Sequence, residues 1–344
     1  MLSTKKTKKT KKTLRNLIPN LLPYPFYKNA YKLNIAHIKQ LALTQNLRIT
    51  SKPLNNAKYR YPLKPLILKT TNKLTSKPIP KITIIQASWH QTEELNSLTD
   101  YFSEQCRIQC HFKNNQSPLE FWNTHQSQLL AKLPPSPTIT DIRELIYNSI
   151  RLCNNFRIPV ALTIIKMFKA TKWLDISAGW GDRLLSALLS PSIEFYCGAD
   201  PNACLHPHYA EMIATFRPPS QRKNFVLIED GFIEAKLPLG ITYDFILSSP
   251  PFFDLEAYSN SPNNSLVKNP TADQWFSNFL IPALAKSISY LEPNGHLVLY
   301  MGDSNNTNYM GAMIKFLNSL LSSRGAIYYQ DGKTIRELLV FSKV

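Results

Sequence analysis

Three acidic residues in the second half of the chain each stand at the end of a short apolar run. Asp175 belongs to the run that starts at Trp173, Asp200 follows Phe195–Ala199, and Asp230 comes shortly after the run 225–228. Runs of β-branched and aromatic residues predict strands, and parallel strands bring their carboxyl ends to one edge of a sheet, where such folds bind ligands. One acid alone could cap a helix. Three in consecutive order predict a shared binding site.

A glycine loop stands between the first predicted strand and the next helix. Its sequence is Asp175-Ile-Ser177-Ala178-Gly179-Trp-Gly181, and glycines there let the backbone pass close to a ligand. On its own this pattern also fits a tight turn without a ligand. Asp200, 21 residues beyond Gly179, is positioned to accept hydrogen bonds from ribose hydroxyls. The carboxylate of Asp230 can accept an adenine amino group, so the pattern predicts a nucleoside-containing cofactor.

The fourth predicted strand, Tyr243–Leu247, ends in Ser249-Pro250-Pro251-Phe252. Found alone, this segment predicts only a rigid turn. At the fourth strand, after three acidic strand ends, it resembles the [D/N/S]-P-P-[Y/F/W] motif of the amino-methyltransferase branch of the class I S-adenosylmethionine-dependent methyltransferases. The resemblance implies that Ser249 and the carbonyl of Pro250 accept hydrogen bonds from an exocyclic amino group. It also implies that Phe252 stacks on a flipped base.

The glycine loop supports the same resemblance, which covers about residues 150–344. Trp180, a bulky residue between the two glycines, departs from the commonest pattern. The segment around Phe156 is similar to the one that contacts the methionine end of the cofactor, although Phe156 could instead be a core aromatic. The resemblance implies a cofactor, S-adenosylmethionine, and these residues that bind it: Phe156, Asp175, Ser177, Ala178, Gly179, Gly181, Asp200, Asn202, Asp230 and Gly231.

The elements that must position these residues alternate between strand and helix from about residue 159 onward. This alternation predicts an α/β fold with a Rossmann-like, doubly wound sheet of seven strands. Within it, helices are predicted at 182–189 and 271–291. Upstream, the β-branched run 81–87 predicts a further strand, and Thr140 is the predicted cap of a helix that runs to about residue 152. The last two strands, 326–329 and 337–341, are separated by a short turn, so the final strand must be antiparallel. We expect a disordered basic tail at 1–15, a basic substrate-recognition region of mixed structure at 16–135, and the catalytic domain at 136–344. The loop 254–270 is rich in asparagine and serine and is expected to act as a mobile lid.

The excess of positive over negative charge lies entirely in the first 92 residues of the chain. The net charge is +17, and residues 1–92 carry 19 of the 40 basic side chains and none of the 23 acidic ones. A block of this kind favours a polyanionic partner, with nucleic acid as the first choice and an acidic membrane surface as the second. It is also compatible with a solvated tail that only aids solubility. Aromatic residues within the block, such as Tyr24, Tyr27 and Tyr59, suit base stacking. They suit equally an arm that lies on the rest of the protein.

The five cysteines are odd in number and contain no close CxxC pair, which argues against a disulfide framework and for a reducing, intracellular and cytoplasmic location. The lysine repeat near the start is also compatible with nuclear import. Cys204, His206 and His208 offer metal ligands, as do Cys106, Cys110 and His111. Neither group supplies four ligands at zinc-type spacing, so no metal site is predicted. No apolar run is long enough to span a membrane.

Together these patterns predict an enzyme that methylates an exocyclic amino nitrogen of a nucleic-acid base, N6 of adenine or N4 of cytosine, with DNA as the first choice. Three alternatives stay open. The first is an RNA base N-methyltransferase. The second is a protein glutamine N-methyltransferase, which would leave the basic block unexplained. The third is a catalytically idle methyltransferase fold that binds nucleic acid.

Overall fold

A computed structural model describes residues 22–53, 81–87, 89–303, 307–331 and 334–344. The predicted tail 1–15, Tyr59 and most of the basic block lie outside these ranges. The strands are β1 Arg48–Pro53, β2 Lys81–Ala87, β3 His111–Phe112, β4 Lys172–Asp175, β5 Phe195–Ala199, β6 Phe225–Ile228, β7 Tyr243–Ser248, β8 Glu256–Ala257, β9 Leu291–Leu299, β10 Ser322–Asp331 and β11 Thr334–Ser342. The helices are α1 Tyr27–Ala30, α2 Ile35–Thr44, α3 Trp89–Arg107, α4 Pro118–Leu130, α5 Ile139–Ser149, α6 Ile158–Phe168, α7 Asp182–Leu189, α8 His206–Phe216, α9 Pro219–Arg222, α10 Ser265–Lys268, α11 Ala272–Trp275, α12 Ile281–Ser289 and α13 Met310–Leu320.

The central sheet has the Rossmann-like α/β architecture that the sequence predicts. Its strand order is β1-β2-β10-β11-β9-β7-β4-β5-β6. Strands β9, β7, β4, β5 and β6 are parallel, whereas β11 is antiparallel to both of its neighbours. The chain order reverses between β4 and β7, which is the point where open α/β sheets form a ligand crevice. One apolar cluster packs on each face of the sheet.

The sheet has nine strands rather than the predicted seven, because the N-terminal region contributes two. Strand β2 pairs in parallel with β10, and β1 pairs antiparallel with β2. Both added strands come from far upstream in the sequence, so local patterning carries no signal for this pairing. Helix α4 of the same region shares a third, smaller apolar cluster with the buried Tyr24 and with helix α5, which lies just beyond this region.

Helix boundaries follow capping chemistry. A capping box stabilises the N-terminus of α5. The Asp141 carboxylate accepts a hydrogen bond from Thr138 N–H, and the Thr138 hydroxyl oxygen accepts one from Asp141 N–H. The cap is therefore Thr138 rather than the predicted Thr140, because the threonine three residues before an acid is the one that can make both bonds. The predicted helix 271–291 is interrupted by a π-helical turn at Phe276–Leu280 and ends at Ser289.

A buried network of charged groups holds the N-terminal arm against α3 and α5. Arg107 donates two hydrogen bonds to Asp100, at 2.9 and 2.7 Å, and Arg143 donates to both Asp100 and Glu104. The backbone N–H of Tyr27 donates to Glu104 at 2.6 Å, and the guanidinium of Arg143 lies over the Tyr27 ring. The first aromatic residues of the basic block therefore pack on the protein, which favours the arm interpretation over base stacking for them.

The expectation of unpaired cysteines is wrong. Disulfides join Cys106 to Cys204 and Cys110 to Cys153, and only Cys197, which is buried, is free. The partners are 98 and 43 residues apart, so spacing rules that look for nearby cysteines miss them. Both pairs fasten the C-terminal end of α3 and the turn after it to segments near the sheet's ligand crevice. Within the described ranges no helix is both long and apolar enough to cross a membrane.

Candidate functional site

A cavity of about 1110 Å³ opens at the carboxyl ends of the central strands. This volume slightly exceeds the usual range for small-molecule sites, roughly 300–1,000 Å³, so the cavity has room for two ligands. Nine of the fourteen predicted site residues line it: Phe156, Ser177, Gly179, Asp200, Asn202, Gly231, Ser249, Pro251 and Phe252. The other five lie behind this wall: Asp175, Ala178, Gly181, Asp230 and Pro250.

The glycine loop is held in place from behind by its neighbours. Ala178 N–H donates to Ala199 O at 2.9 Å, which fixes the loop to β5. Gly181 has φ +95°, and a Cβ there would lie 2.7 Å from Met212 Cε. Only glycine combines that backbone conformation with such close packing. Gly181 therefore shapes the loop without lining the cavity.

Asp175 supports the site from beneath. Its carboxylate is fully buried and accepts hydrogen bonds from Ser248 Oγ at 2.7 Å, Tyr196 Oη at 2.9 Å and Arg183 Nε at 2.7 Å. These three partners surround the carboxylate, so Asp175 does not line the cavity, whereas Arg183 does. The Arg183 guanidinium lines the cavity, bonds Ser177 O and lies 5.7 Å from the Phe156 ring.

Asp200 has the geometry of a hydroxyl acceptor. Its Oδ2 accepts from Gly179 N–H at 2.9 Å and its Oδ1 from Asn202 N–H at 3.0 Å. Each oxygen keeps a second lone pair, because a carboxylate offers about four acceptor positions. Burial raises the pKa of Asp200 to about 6, against the opposing effect of the two backbone N–H groups. The carboxylate is thus desolvated at the cavity wall.

Asp230 binds its own loop and the lid. Its Oδ1 accepts from Gly231 N–H at 2.8 Å and from Asn263 Nδ2 at 3.0 Å. Gly231 and Asn263 line the cavity, whereas Asp230 does not. Asp230 therefore does not reach the cavity directly. Any effect of it on a bound adenine would act through the positions of Gly231 and Asn263.

Ser249, Pro251 and Phe252 of the Ser-Pro-Pro-Phe segment line the cavity beside the glycine loop. Ser249 O accepts from Ser177 Oγ at 3.0 Å, which ties the segment to the glycine loop. Ser249 Oγ has no hydrogen-bond partner in the described part of the chain, so it is available to a ligand. The Phe252 ring meets Tyr300 edge-on, with centroids 5.6 Å apart. Pro250 is buried behind the wall.

The predicted lid lies against the N-terminal region. Strand β8 pairs with β3, so that Glu256 lies beside Phe112. Glu256 accepts a hydrogen bond from Tyr258 Oη at 2.5 Å and one from Asn154 N–H at 3.3 Å, and burial raises its pKa. The Tyr258 ring packs edge-on against Trp180 at 5.7 Å. Trp180, the departure from the commonest glycine-loop pattern, thus packs against this segment.

Several residues that line the cavity were not predicted from the sequence. Tyr300 follows β9, so the strand-end argument used for β4 to β7 would have found it. Arg336, on β11, donates from Nη1 to Tyr300 Oη at 2.6 Å, but nothing in its local sequence marks it. The exposed Arg151 lies 4.2 Å from the Phe112 ring at the cavity's edge. These two arginines line the cavity with cations that the motifs do not predict.

The chain matches no family model and no curated protein. Among solved structures it is similar to TrmN from Thermus thermophilus, with 16% identity and a TM-score of 0.40 over 55% of this chain and 49% of TrmN. A methyltransferase from Pyrococcus furiosus gives 17% identity and a TM-score of 0.35, over 55% of this chain and 83% of that one. An rRNA methylase from Streptococcus thermophilus gives 12% identity and a TM-score of 0.36, over 56% of this chain and 99% of that one. The match spans about half of TrmN. Identities and TM-scores as low as these assign no activity to this chain.

Proposed function

We propose that this chain is an S-adenosylmethionine-dependent methyltransferase that modifies an exocyclic amino nitrogen of a nucleic-acid base. The observation that carries the proposal is the convergence of two sets of residues on one cavity. The glycine loop and Asp200 line one part of it, and Ser249 and Phe252 line another. A cofactor and an acceptor bound to these two sets would meet inside the cavity.

The residues present fit S-adenosylmethionine. Asp200 is a desolvated carboxylate with free lone pairs, which suits two ribose hydroxyls. Arg183 is a cation on the cavity wall, which suits the carboxylate of the methionine portion. Gly231 and Asn263 surround the part of the cavity left for the adenine. When bound, the cofactor supplies a methyl group on a positively charged sulfur, which is a good leaving group.

The acceptor end of the cavity suits a flat, amine-bearing group. Ser249 Oγ can accept a hydrogen bond from an amino N–H and hold the nitrogen in line. The Phe252 ring, supported edge-on by Tyr300, offers a face for stacking, which is worth roughly 1–3 kcal/mol per base. No strong base is required for this reaction, because fixed alignment of the two reactants supplies much of the rate.

Nucleic acid is the acceptor that the charge distribution favours, with DNA as the first choice. The basic block would contact phosphates, which supply most non-specific affinity. The exposed Arg151 adds one cation at the edge of the cavity. A glutamine side chain also presents a planar amine, but a glutamine substrate would leave the basic block unexplained.

The test is transfer of a tritiated methyl group from S-adenosylmethionine to separate pools of DNA, RNA and protein. We expect label in nucleic acid, with DNA labelled more than RNA. Label in RNA alone would assign the RNA alternative, and label in protein alone would assign the glutamine one. If S-adenosylmethionine binds and no pool is labelled, the chain is a binding module.

Deleting residues 1–15 should weaken binding of nucleic acid and leave the catalytic site intact. The deletion removes seven basic side chains: Lys5, Lys6, Lys8, Lys9, Lys11, Lys12 and Arg15. For every phosphate that the shortened protein no longer neutralises, the log–log salt slope for duplex DNA should become shallower by about 0.9. The measurement is a salt titration of binding to one labelled duplex, with cofactor affinity and melting temperature as controls. Equal slopes for both proteins would assign the polyanion binding to residues 16–92.

A further inference from the structure

A second cluster of reactive side chains lies outside the cavity, where the end of α3 meets the start of α8. One ligand atom from each of Cys106, Cys204 and His208 lies within 4.8 Å of the other two. Cys204 belongs to the helical turn Ala203–Leu205, which continues directly into α8. His208 follows it by four residues and Glu211 by seven. Spacings of four and three put the three side chains on one helical face.

The surroundings of His208 suit a metal-ligating imidazole. Its side chain is 12% exposed, and its Nδ1 lies 4.0 Å from Glu211 Oε2. Its Nε2 lies 2.7 Å from Gln105 Nε2, an amide nitrogen that can only donate, so an ion bound to His208 Nε2 would take the place of this hydrogen bond. Ligating histidines usually have one nitrogen on the ion and the other hydrogen-bonded to a carboxylate, carbonyl or water.

We propose that Cys106, Cys204 and His208 form a site for a zinc-type divalent ion when the Cys106–Cys204 disulfide is reduced. A phosphine or dithiol reductant supplies the two electrons, and two protons from solvent complete the two thiols. Each thiol loses its proton as its sulfur binds the ion. Two thiolate sulfurs and an imidazole suit zinc, with a water molecule as the fourth ligand of a tetrahedral set. The two sulfurs can therefore either bond each other or bind the ion, but not both.

The second disulfide provides a matched comparison within the chain. Cys110 and Cys153 are both 1% exposed, whereas Cys204 is exposed. In the described part of the chain, Cys106, Cys204 and His208 are the one group of three such ligands close enough to share an ion. Reduction alone should therefore create two dithiols and one ion site. The loop that carries Asn202, which lines the cavity, ends two residues before Cys204, so the ion would hold this loop to α3 under reducing conditions.

The test uses the full chain, reduced with a phosphine and freed of metal, and titrated with Co²⁺ and then Zn²⁺. We expect one Co²⁺ per chain, with the visible bands of a tetrahedral site and a thiolate charge-transfer band, both lost when Zn²⁺ displaces the cobalt. Oxidised protein should give neither band. His208→Asn and Cys204→Ser should each weaken binding at least about tenfold, the scale of losing even an outer partner of a metal ligand.

Cys153→Ser is the control, because it removes the other disulfide and none of the proposed ligands. It should bind cobalt as the wild type does. Absence of a stoichiometric cobalt spectrum in the reduced wild type would overturn the proposal. So would wild-type binding by His208→Asn, or a loss in Cys153→Ser as large as that in Cys204→Ser. None of these readouts depends on methyl transfer, so the outcome is separate from that of the proposed function.

Discussion

Replacing Phe252 with alanine is expected to lower kcat/KM for methyl transfer by roughly 5- to 150-fold while cofactor affinity stays unchanged. The ring lines the acceptor end of the cavity and meets Tyr300 edge-on. The expected loss corresponds to the roughly 1–3 kcal/mol of one base–aromatic stack. Steady-state kinetics with a nucleic-acid substrate and calorimetry with S-adenosylmethionine measure the two quantities separately.

The neighbouring phenylalanine is a matched control for this prediction. Phe253 packs against Trp275, with ring centroids 5.8 Å apart, and does not line the cavity. Phe253→Ala should therefore lower the melting temperature more than it lowers kcat/KM per folded molecule. If the two variants lose turnover equally, or if Phe252→Ala loses cofactor affinity as well, Phe252 is a structural residue and the acceptor assignment fails.

Asp200→Ala is expected to weaken binding of S-adenosylmethionine by about 1.5–3 kcal/mol, which is roughly 10- to 150-fold. This is the scale of removing a hydrogen bond to a charged group. The main-chain groups now bonded to the carboxylate, Gly179 N–H and Asn202 N–H, would lose their acceptors, so part of the loss reflects a loosened loop. Asp200→Asn separates the effects, because it keeps an acceptor oxygen and removes the charge. Unchanged affinity in a folded Asp200→Ala variant would remove Asp200 from the site.

The pH dependence of binding gives a second test of the same residue. The pKa of Asp200 in the folded protein is about 6, and only the ionised carboxylate accepts hydrogen bonds from two hydroxyls. Affinity for the cofactor should therefore fall as the pH falls through 6, and Asp200→Asn should lack this component. The stability of the protein without cofactor should depend on pH in the opposite direction. The raised pKa means that the folded state binds more protons, so this group lowers stability as the pH rises from about 4 to 6.

The sequence was sufficient for the parts of the fold that local patterning controls. Strand β5 and helix α7 begin and end where predicted, and Asp200 and the Ser249–Phe252 segment line one cavity as the strand-end argument requires. Parallel strands in a doubly wound sheet bring their carboxyl ends together whatever the details of packing. This is why a few motif positions could be assigned without a structure.

The remaining features depend on interactions between distant segments, which periodicity does not report. Asp175 matched the motif, yet Ser248, Tyr196 and Arg183 close around its carboxylate and exclude it from the cavity. Strand β2 was predicted as a strand, but its pairing with β10 was not. The cysteine pairs join residues up to 98 positions apart. In each case the partner is chosen by tertiary packing.

The most direct test of the central claim is the position of the transferred methyl group. Nucleic acid is incubated with the protein and S-adenosylmethionine that carries a deuterated methyl, then digested to nucleosides and analysed by mass spectrometry. The account predicts a labelled methyl on an exocyclic nitrogen, as N6-methyladenine or N4-methylcytosine, with the product lost in Phe252→Ala. Label found only on a ring carbon, on ribose or on protein, with none on an exocyclic amine, would contradict it.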